Sequence, residues 1–199
     1  MPTHEMLIRE AEQILSDAET LNPGPWIRHS FFAANAAGII ALHTPHLQRD
    51  HAYVCGLLHD IGRREASSGA IHPLFGYQFL LQIGHPDVAR VCLTHPFTTK
   101  DIHESLVYTE IPASVLNEMQ LLLESIDYDE YDWLTQLADS LCTAEGIVGL
   151  EERLADVESR HGTNPYTPLR RAMLTRIKDH FERLTGSSID DLLCVSPQS

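Results

Sequence analysis

The chain has 199 residues, of which 43% are hydrophobic, with a formal net charge of −14. That length can bury a real core and points to one domain, the apolar content excludes a disordered chain, and no apolar run reaches the ~20 residues of a membrane-crossing helix. The 14 Lys and Arg form no stripe, so duplex nucleic acid is repelled and is not an expected partner, whereas a small phosphorylated substrate fits if bound cations supply positive charge locally.

Residues 3–20 are amphipathic, with Met6, Leu7, Ala11, Ile14 and Leu15 on one face, and predict a first helix. Asn22-Pro23-Gly24-Pro25 breaks the chain. Residues 27–43 form a second helix carrying Ala33, Ala34, Ala36, Ala37 and Gly38; small residues let another helix approach closely, so this one is expected to be central. Pro45 ends it, and a third helix is expected over 48–61 with Gly62 as its stop signal. A polar Gly/Ser-containing loop covers 62–71. His72 to Ile83 is helical and closed by Gly84, and Pro86 opens a helix to about His95. Residues 96–110 read as irregular. Helices over 112–124, 130–147, 149–161 and 166–185 follow, the last two separated by Gly162-Thr163-Asn164-Pro165.

No segment shows period-two alternation of β-branched residues, and residues 196–199 are expected to fray. The chain therefore reads as one all-α helical bundle: an N-terminal helix (1–25) packed on a core (26–147), completed by C-terminal helices (148–199). The N-terminus lacks the basic start and apolar core of a signal peptide, so a cytoplasmic location is expected. Cys55, Cys92, Cys142 and Cys194 form no close pair and read as buried free thiols of a reducing compartment. A homo-oligomer is left open.

Twelve histidines are many for this length, which directs attention to metal ligands. His59-Asp60 ends the apolar run Val54-Cys55-Gly56-Leu57-Leu58, and a carboxylate there is costly to bury without a partner. Capping or a salt bridge would serve; so would a cation. His29 lies on the helix face of Ala33, Ala36, Ala37 and Ile40, and Asp139 sits in Leu134-Thr135-Gln136-Leu137-Ala138-Asp139-Ser140-Leu141, also facing inward. Two inward carboxylates and two inward histidines need mutual compensation, which a divalent cation provides. Two neutral nitrogens and two hard oxygens suit Mn, Fe, Co, Ni or Zn better than Ca.

His29, His59-Asp60 and Asp139, with the flanks Leu57-Leu58-His59-Asp60-Ile61-Gly62 and Leu137-Ala138-Asp139, resemble the H…HD…D pattern of the HD superfamily of metal-dependent phosphohydrolases. The resemblance covers residues 26–147. It implies an all-α HD-domain fold and hydrolysis of a phosphomonoester or phosphodiester, of a nucleotide or a small phosphorylated metabolite, by attack of a metal-bound hydroxide. Binuclear branches of the superfamily insert two histidines before the last Asp, the first opening a His-x-x-x-Gly helix. His72 with Gly76, and then His95, are similar. The resemblance thus implies six ligands (His29, His59, Asp60, His72, His95 and Asp139), two divalent transition-metal ions, and Asp60 as the bridging, catalytic carboxylate. The intervening loop, 61–71, is short for that series.

Arg63 stands where many relatives carry Lys, and it, Lys100 and His103 are candidate substrate contacts. The remaining histidines, at 4, 43, 46, 51, 85, 161 and 180, read as surface or helix-end residues. Arg153 and Arg160, seven apart, share one face of a charged helix. Two other functions accompany the resemblance. Binuclear-iron HD-domain oxygenases, which cleave C–P or C–C bonds, use the same ligand series and have a Lys soon after the fourth histidine, to which Lys100 is similar. Other HD proteins are regulatory metal- or ligand-binding modules.

Overall fold

The computed structural model describes residues 6–65, 69–104 and 111–195. Among these, ten α-helices follow one another: α1 (Ile8–Leu21), α2 (Pro25–Leu42), α3 (Arg49–Leu58), α4 (His72–Gln82), α5 (Pro86–Thr94), α6 (Ala113–Ser125), α7 (Glu130–Ser140), α8 (Leu150–His161), α9 (Thr167–Thr185) and α10 (Ile189–Leu192). Short 3₁₀ turns cover Ile61–Arg64, Gly69–Ile71 and Ile102–Glu104. No strand occurs among the described residues; the one β-feature is an isolated bridge between Cys142 and Ile147. The fold is all-α, and no described helix is long and apolar enough to cross a membrane.

Proline starts several of these helices. Pro25, Pro73, Pro86 and Pro168 occupy first-turn positions of α2, α4, α5 and α9, where a missing N–H costs nothing and the fixed φ suits the helix. At α7 a capping box does the same work. The Asp129 carboxylate accepts from the Tyr131 and Asp132 amides, and the Asp132 carboxylate accepts from the Asp129 amide.

The pair α2 and α3 sits at the centre, and the reason is steric. A Cβ on Gly56 would fall 2.7 Å from the Ala33 carbonyl oxygen and 2.8 Å from the Ala34 Cα, so α3 lies almost on the backbone of α2. This carries His59, just past the end of α3, to His29, near the start of α2. One face of α2 (Ala33, Ala36, Ala37, Ile40, Ala41) joins α7, α8, α9 and α10 in one core around Leu137, Leu174 and Phe181. The other side, with Ile27 and Ala34, joins α1, α3, α4 and α5 around Leu15, Leu57, Leu58 and Val88. A third cluster (Leu93, Phe97, Met119, Leu123) fixes α6 on α5.

Several boundaries differ from expectation. The third helix ends at Leu58, not at 61, and Gly62 does not act as its cap. A Cβ on Gly62 would fall 2.0 Å from the His72 carbonyl oxygen, so Gly62 is required by the approach of α4. The expected helix 130–147 stops at Ser140. The chain then folds back through a turn in which the Thr143 amide donates to the Gly146 carbonyl and the Val148 amide to that of Leu141. The loop 62–71 contains helical turns at both ends. The four-residue α10 is too short for periodicity to reveal; its one local signal is Ser188, whose side chain caps it. The N-terminal helix begins at Ile8. The parts of the expected first helix before Met6, of the loops within 66–68 and 105–110, and the frayed tail 196–199 lie outside the described residues, as does His4.

Cys55, Cys92 and Cys142 are buried free thiols as expected, but Cys194 is exposed. His85 is buried rather than superficial: it is the residue before α5, with Nε2 3.4 Å from a Glu10 carboxylate oxygen.

Candidate metal centre

Six side chains from five separate stretches meet between α2, α3, α4, α5 and α7. His29 Nε2 is 3.3 Å from His59 Nε2 and 3.0 Å from Asp139 Oδ1. His59 Nε2 is 3.7 Å from Asp139 Oδ1 and 3.8 Å from Asp60 Oδ2. The other Asp60 oxygen, Oδ1, is 2.9 Å from His72 Nε2 and 3.6 Å from His95 Nε2. Two sets could each hold a metal ion: His29, His59 and Asp139; and His59, Asp60 and His95. Asp60 presents one oxygen toward each half of the cluster.

The imidazoles are fixed from behind. His59 Nδ1 lies 2.7 Å from the Gly56 carbonyl, His72 Nδ1 2.9 Å from that of Gly69, and His95 Nδ1 2.8 Å from that of Cys92. A carbonyl oxygen only accepts, so in each ring Nδ1 carries the proton and donates, and Nε2 turns its lone pair inward. Lone pairs on nitrogen then face lone pairs on carboxylate oxygen. His72 Nε2 and Asp60 Oδ1 are both buried and neither makes an aligned hydrogen bond. Buried polar atoms are rarely left so, and a cation shared between them removes the conflict. Ligands of one ion, each about 2.1 Å from it, stand about 3.0 to 3.5 Å apart, close to the separations here. The residues present therefore fit a divalent transition metal in both donor type and spacing.

The electrostatics agree. Burial pushes the imidazolium form of His95 down to about 3 and lowers that of His59, so both are neutral donors. Burial would also raise the Asp60 carboxyl, but the Arg63 guanidinium outweighs it and holds it well below its ordinary value. Asp139 is likewise held low against burial by its bond to His29. For His29 the bond to Asp139 overcomes burial and raises the ring.

Each candidate ligand has a local reason to be where it is. Gly62 lets the first turn of α4 close over the turn after Asp60 and so sets His72 against Asp60. Gly76 continues this contact: a Cβ there would fall 3.0 Å from the Cys92 Cβ and 3.1 Å from the Gly62 nitrogen. His95 and Asp139 are put in register by buried bonds between α5 and α7. Thr94 Oγ1 donates to Asp132 Oδ1 at 2.7 Å, and Gln136 Nε2 donates to the Thr94 carbonyl at 3.0 Å. Arg90 also pairs with Asp132. Sequence reading overlooked Thr94, Asp132 and Gln136, whose only signal was polarity within apolar helix faces.

Of the three candidate substrate contacts, Arg63 reaches the cluster, its Nε 2.7 Å from Asp60 Oδ2. Lys100 is directed to the α6–α7 connection instead. Its Nζ donates to the Ile126 carbonyl at 2.6 Å and lies over the Tyr128 ring. His103 is exposed on the turn Ile102–Glu104, and its side chain is not among the cluster contacts. Asp139 is the candidate ligand most open to solvent, with its side chain 20% exposed, and it borders a cavity of about 120 Å³ lined also by Arg153 and Arg170. Neither Arg170 nor this cavity was foreseen.

No curated protein and no solved structure matches the chain. The model of the HD domain matches residues 26–143. That span runs from the first turn of α2 to just past α7 and includes all six clustered side chains. HD domains bind divalent metals, and the superfamily is of the metal-dependent phosphohydrolase type. The match covers more than half of the chain, which therefore belongs to the HD domain family.

Proposed function

We propose that this protein is a metal-dependent phosphohydrolase that cleaves a phosphomonoester or phosphodiester of a nucleotide or small phosphorylated metabolite, with His29, His59, Asp60, His72, His95 and Asp139 holding two divalent ions and Asp60 bridging them. The observation that carries this reading is the inward set of lone pairs, above all His72 Nε2 against Asp60 Oδ1 at 2.9 Å with no aligned hydrogen bond. When bound, the cations supply Lewis acidity: they lower the pKa of a water towards neutrality and neutralise charge developing on a phosphoryl group.

The chain's own residues prepare this chemistry. The backbone carbonyls of Gly56, Gly69 and Cys92 keep three imidazoles in one tautomer. Arg63 keeps Asp60 ionised and stands at the edge of the cluster, where its guanidinium can also meet a phosphoryl oxygen. Asp139 opens the cluster to the neighbouring cavity. Burial raises the Cys55, Cys92 and Cys142 thiols, so none of these three competes as a thiolate nucleophile. A small substrate suits the net charge of −14 better than a nucleic acid.

The oxygenase alternative uses the same six residues, but the Lys100 amino group is committed to the Ile126 carbonyl, which removes the residue that favoured it. Metal analysis of gently purified protein, with assays of nucleotides and small phosphoesters under Mn, Fe, Co or Ni, tests the proposal. Turnover without oxygen supports hydrolysis. Turnover that requires oxygen supports the oxygenase. Metal-free protein with no turnover under any of these ions rejects both.

A further inference from the structure

The cavity beside Asp139 lies between α8 and α9, and its charged groups are nearly all committed. Asp139 is held by His29. Arg153 donates to the Cys142 carbonyl and pairs with Asp156. Glu158 pairs with Arg171, and Glu104 accepts from the Thr99 amide and hydroxyl. Arg170 differs. Its Nε is buried without a hydrogen-bond partner, and it stands in no ion pair among the described residues. It also sits in the first turn of the 19-residue α9, where the helix dipole disfavours a cation. Arg170 is half-buried, and its guanidinium is the cation of this cavity whose donors are left free to meet an anion.

The size of the cavity limits what it takes. At about 120 Å³ it is smaller than the ~150 Å³ that admits a benzene ring. It has room for a carboxylate or phosphate group.

We infer that Arg170 is a specificity-determining residue that binds a second anionic group of the substrate, so that the preferred substrate is a small phosphate ester bearing a carboxylate or a second phosphate. The inference rests on the phosphohydrolase reading for the position of the first phosphate, at the metal cluster with Asp139 between the two sites.

The test is equilibrium binding by calorimetry to Mn²⁺-loaded protein, with 2-phosphoglycolate, ethylene glycol bisphosphate and ethyl phosphate as probes. The native chain, Arg170→Gln and Arg170→Lys are compared. One or both of the probes with two anionic groups should bind at least ~10-fold tighter than ethyl phosphate, as expected for a charge-assisted pair. Arg170→Gln should abolish that ratio and Arg170→Lys should keep part of it. Whichever of these two probes shows the ratio identifies the second group. Equal binding of all three probes, or a ratio unchanged in Arg170→Gln, overturns the inference. The same probes are assayed for release of phosphate. Hydrolysis without an Arg170-dependent ratio rejects the inference alone, and an Arg170-dependent ratio without hydrolysis rejects the phosphohydrolase reading alone.

Discussion

His72 Nε2 lies 2.9 Å from Asp60 Oδ1 while His72 Nδ1 is held by the Gly69 carbonyl. The ring can satisfy only one of these oxygens with its proton, and the carbonyl takes it. Asp60 is left with an oxygen that a cation fits and a hydrogen-bond donor does not. Asp60→Ala should therefore lose metal and at least ~100-fold in turnover. The check is metal content by elemental analysis beside phosphate release, and an active, metal-loaded Asp60→Ala protein would refute the bridging role.

His72→Ala separates one ion from two. It removes the proposed ligand near Asp60 Oδ1 and leaves His29, His59 and Asp139 in place. The expected result is about one ion per chain in place of two. Full loss of metal, or no change, would contradict two half-sites sharing Asp60.

Gly62→Ala tests how α4 is placed. The added Cβ would sit 2.0 Å from the His72 carbonyl oxygen, a backbone atom that cannot swing aside. Destabilisation by about 3 kcal/mol is expected, with reduced metal content because His72 moves with α4. Chemical denaturation measures the first and elemental analysis the second. Native stability in this variant would mean that the close approach is not required.

Thr94→Val removes a donor from a buried carboxylate. Asp132 is fully buried and depends on Thr94, Arg90 and the Asp129 amide. A loss of about 2 kcal/mol is expected. Metal affinity should fall as well, because Thr94 precedes His95 and Asp132 lies two helical turns before Asp139. Retained metal affinity despite lost stability would confine these bonds to folding.

Glu130 gives a pH dependence away from the cluster. Burial would raise its carboxyl, but the bonds from His46 and His180 outweigh burial and lower it below its ordinary 4.5. A lowered folded value means that the contribution to stability is full above the unfolded value and is lost as pH falls through the folded one. Glu130→Gln should therefore lower the melting temperature at neutral pH, by an amount equivalent to at most ~1 kcal/mol. The two proteins should converge in acid below the lowered folded value. Melting curves across this range decide it; a difference that grows as pH falls below the ordinary carboxyl value would reverse the assignment.

Much of this molecule is legible in its residues. Helix periodicity, the prolines at helix starts and the small-residue face of α2 give an all-α chain with α2 at its centre, because these signals act within one or two turns. His29, His59, Asp60 and Asp139 stand out for a similar reason: a charged or polar group on an apolar helix face needs a partner, wherever that partner comes from. His72 and His95 carried no such local mark and entered through resemblance.

Only the tertiary structure decided the rest, because it depends on contacts between residues far apart in the chain. Gly62 reads locally as a helix stop, yet it is fixed by the backbone of α4. Lys100 reads as a free cation near the site, yet the Ile126 carbonyl takes its amino group. Arg170 carries no mark in the sequence, and only the fold sets it on the same cavity as Asp139. The sequence by itself determined which residue types could bind metal. Packing decided which way their lone pairs face, since that is set by backbone carbonyls and glycine contacts that no local pattern encodes.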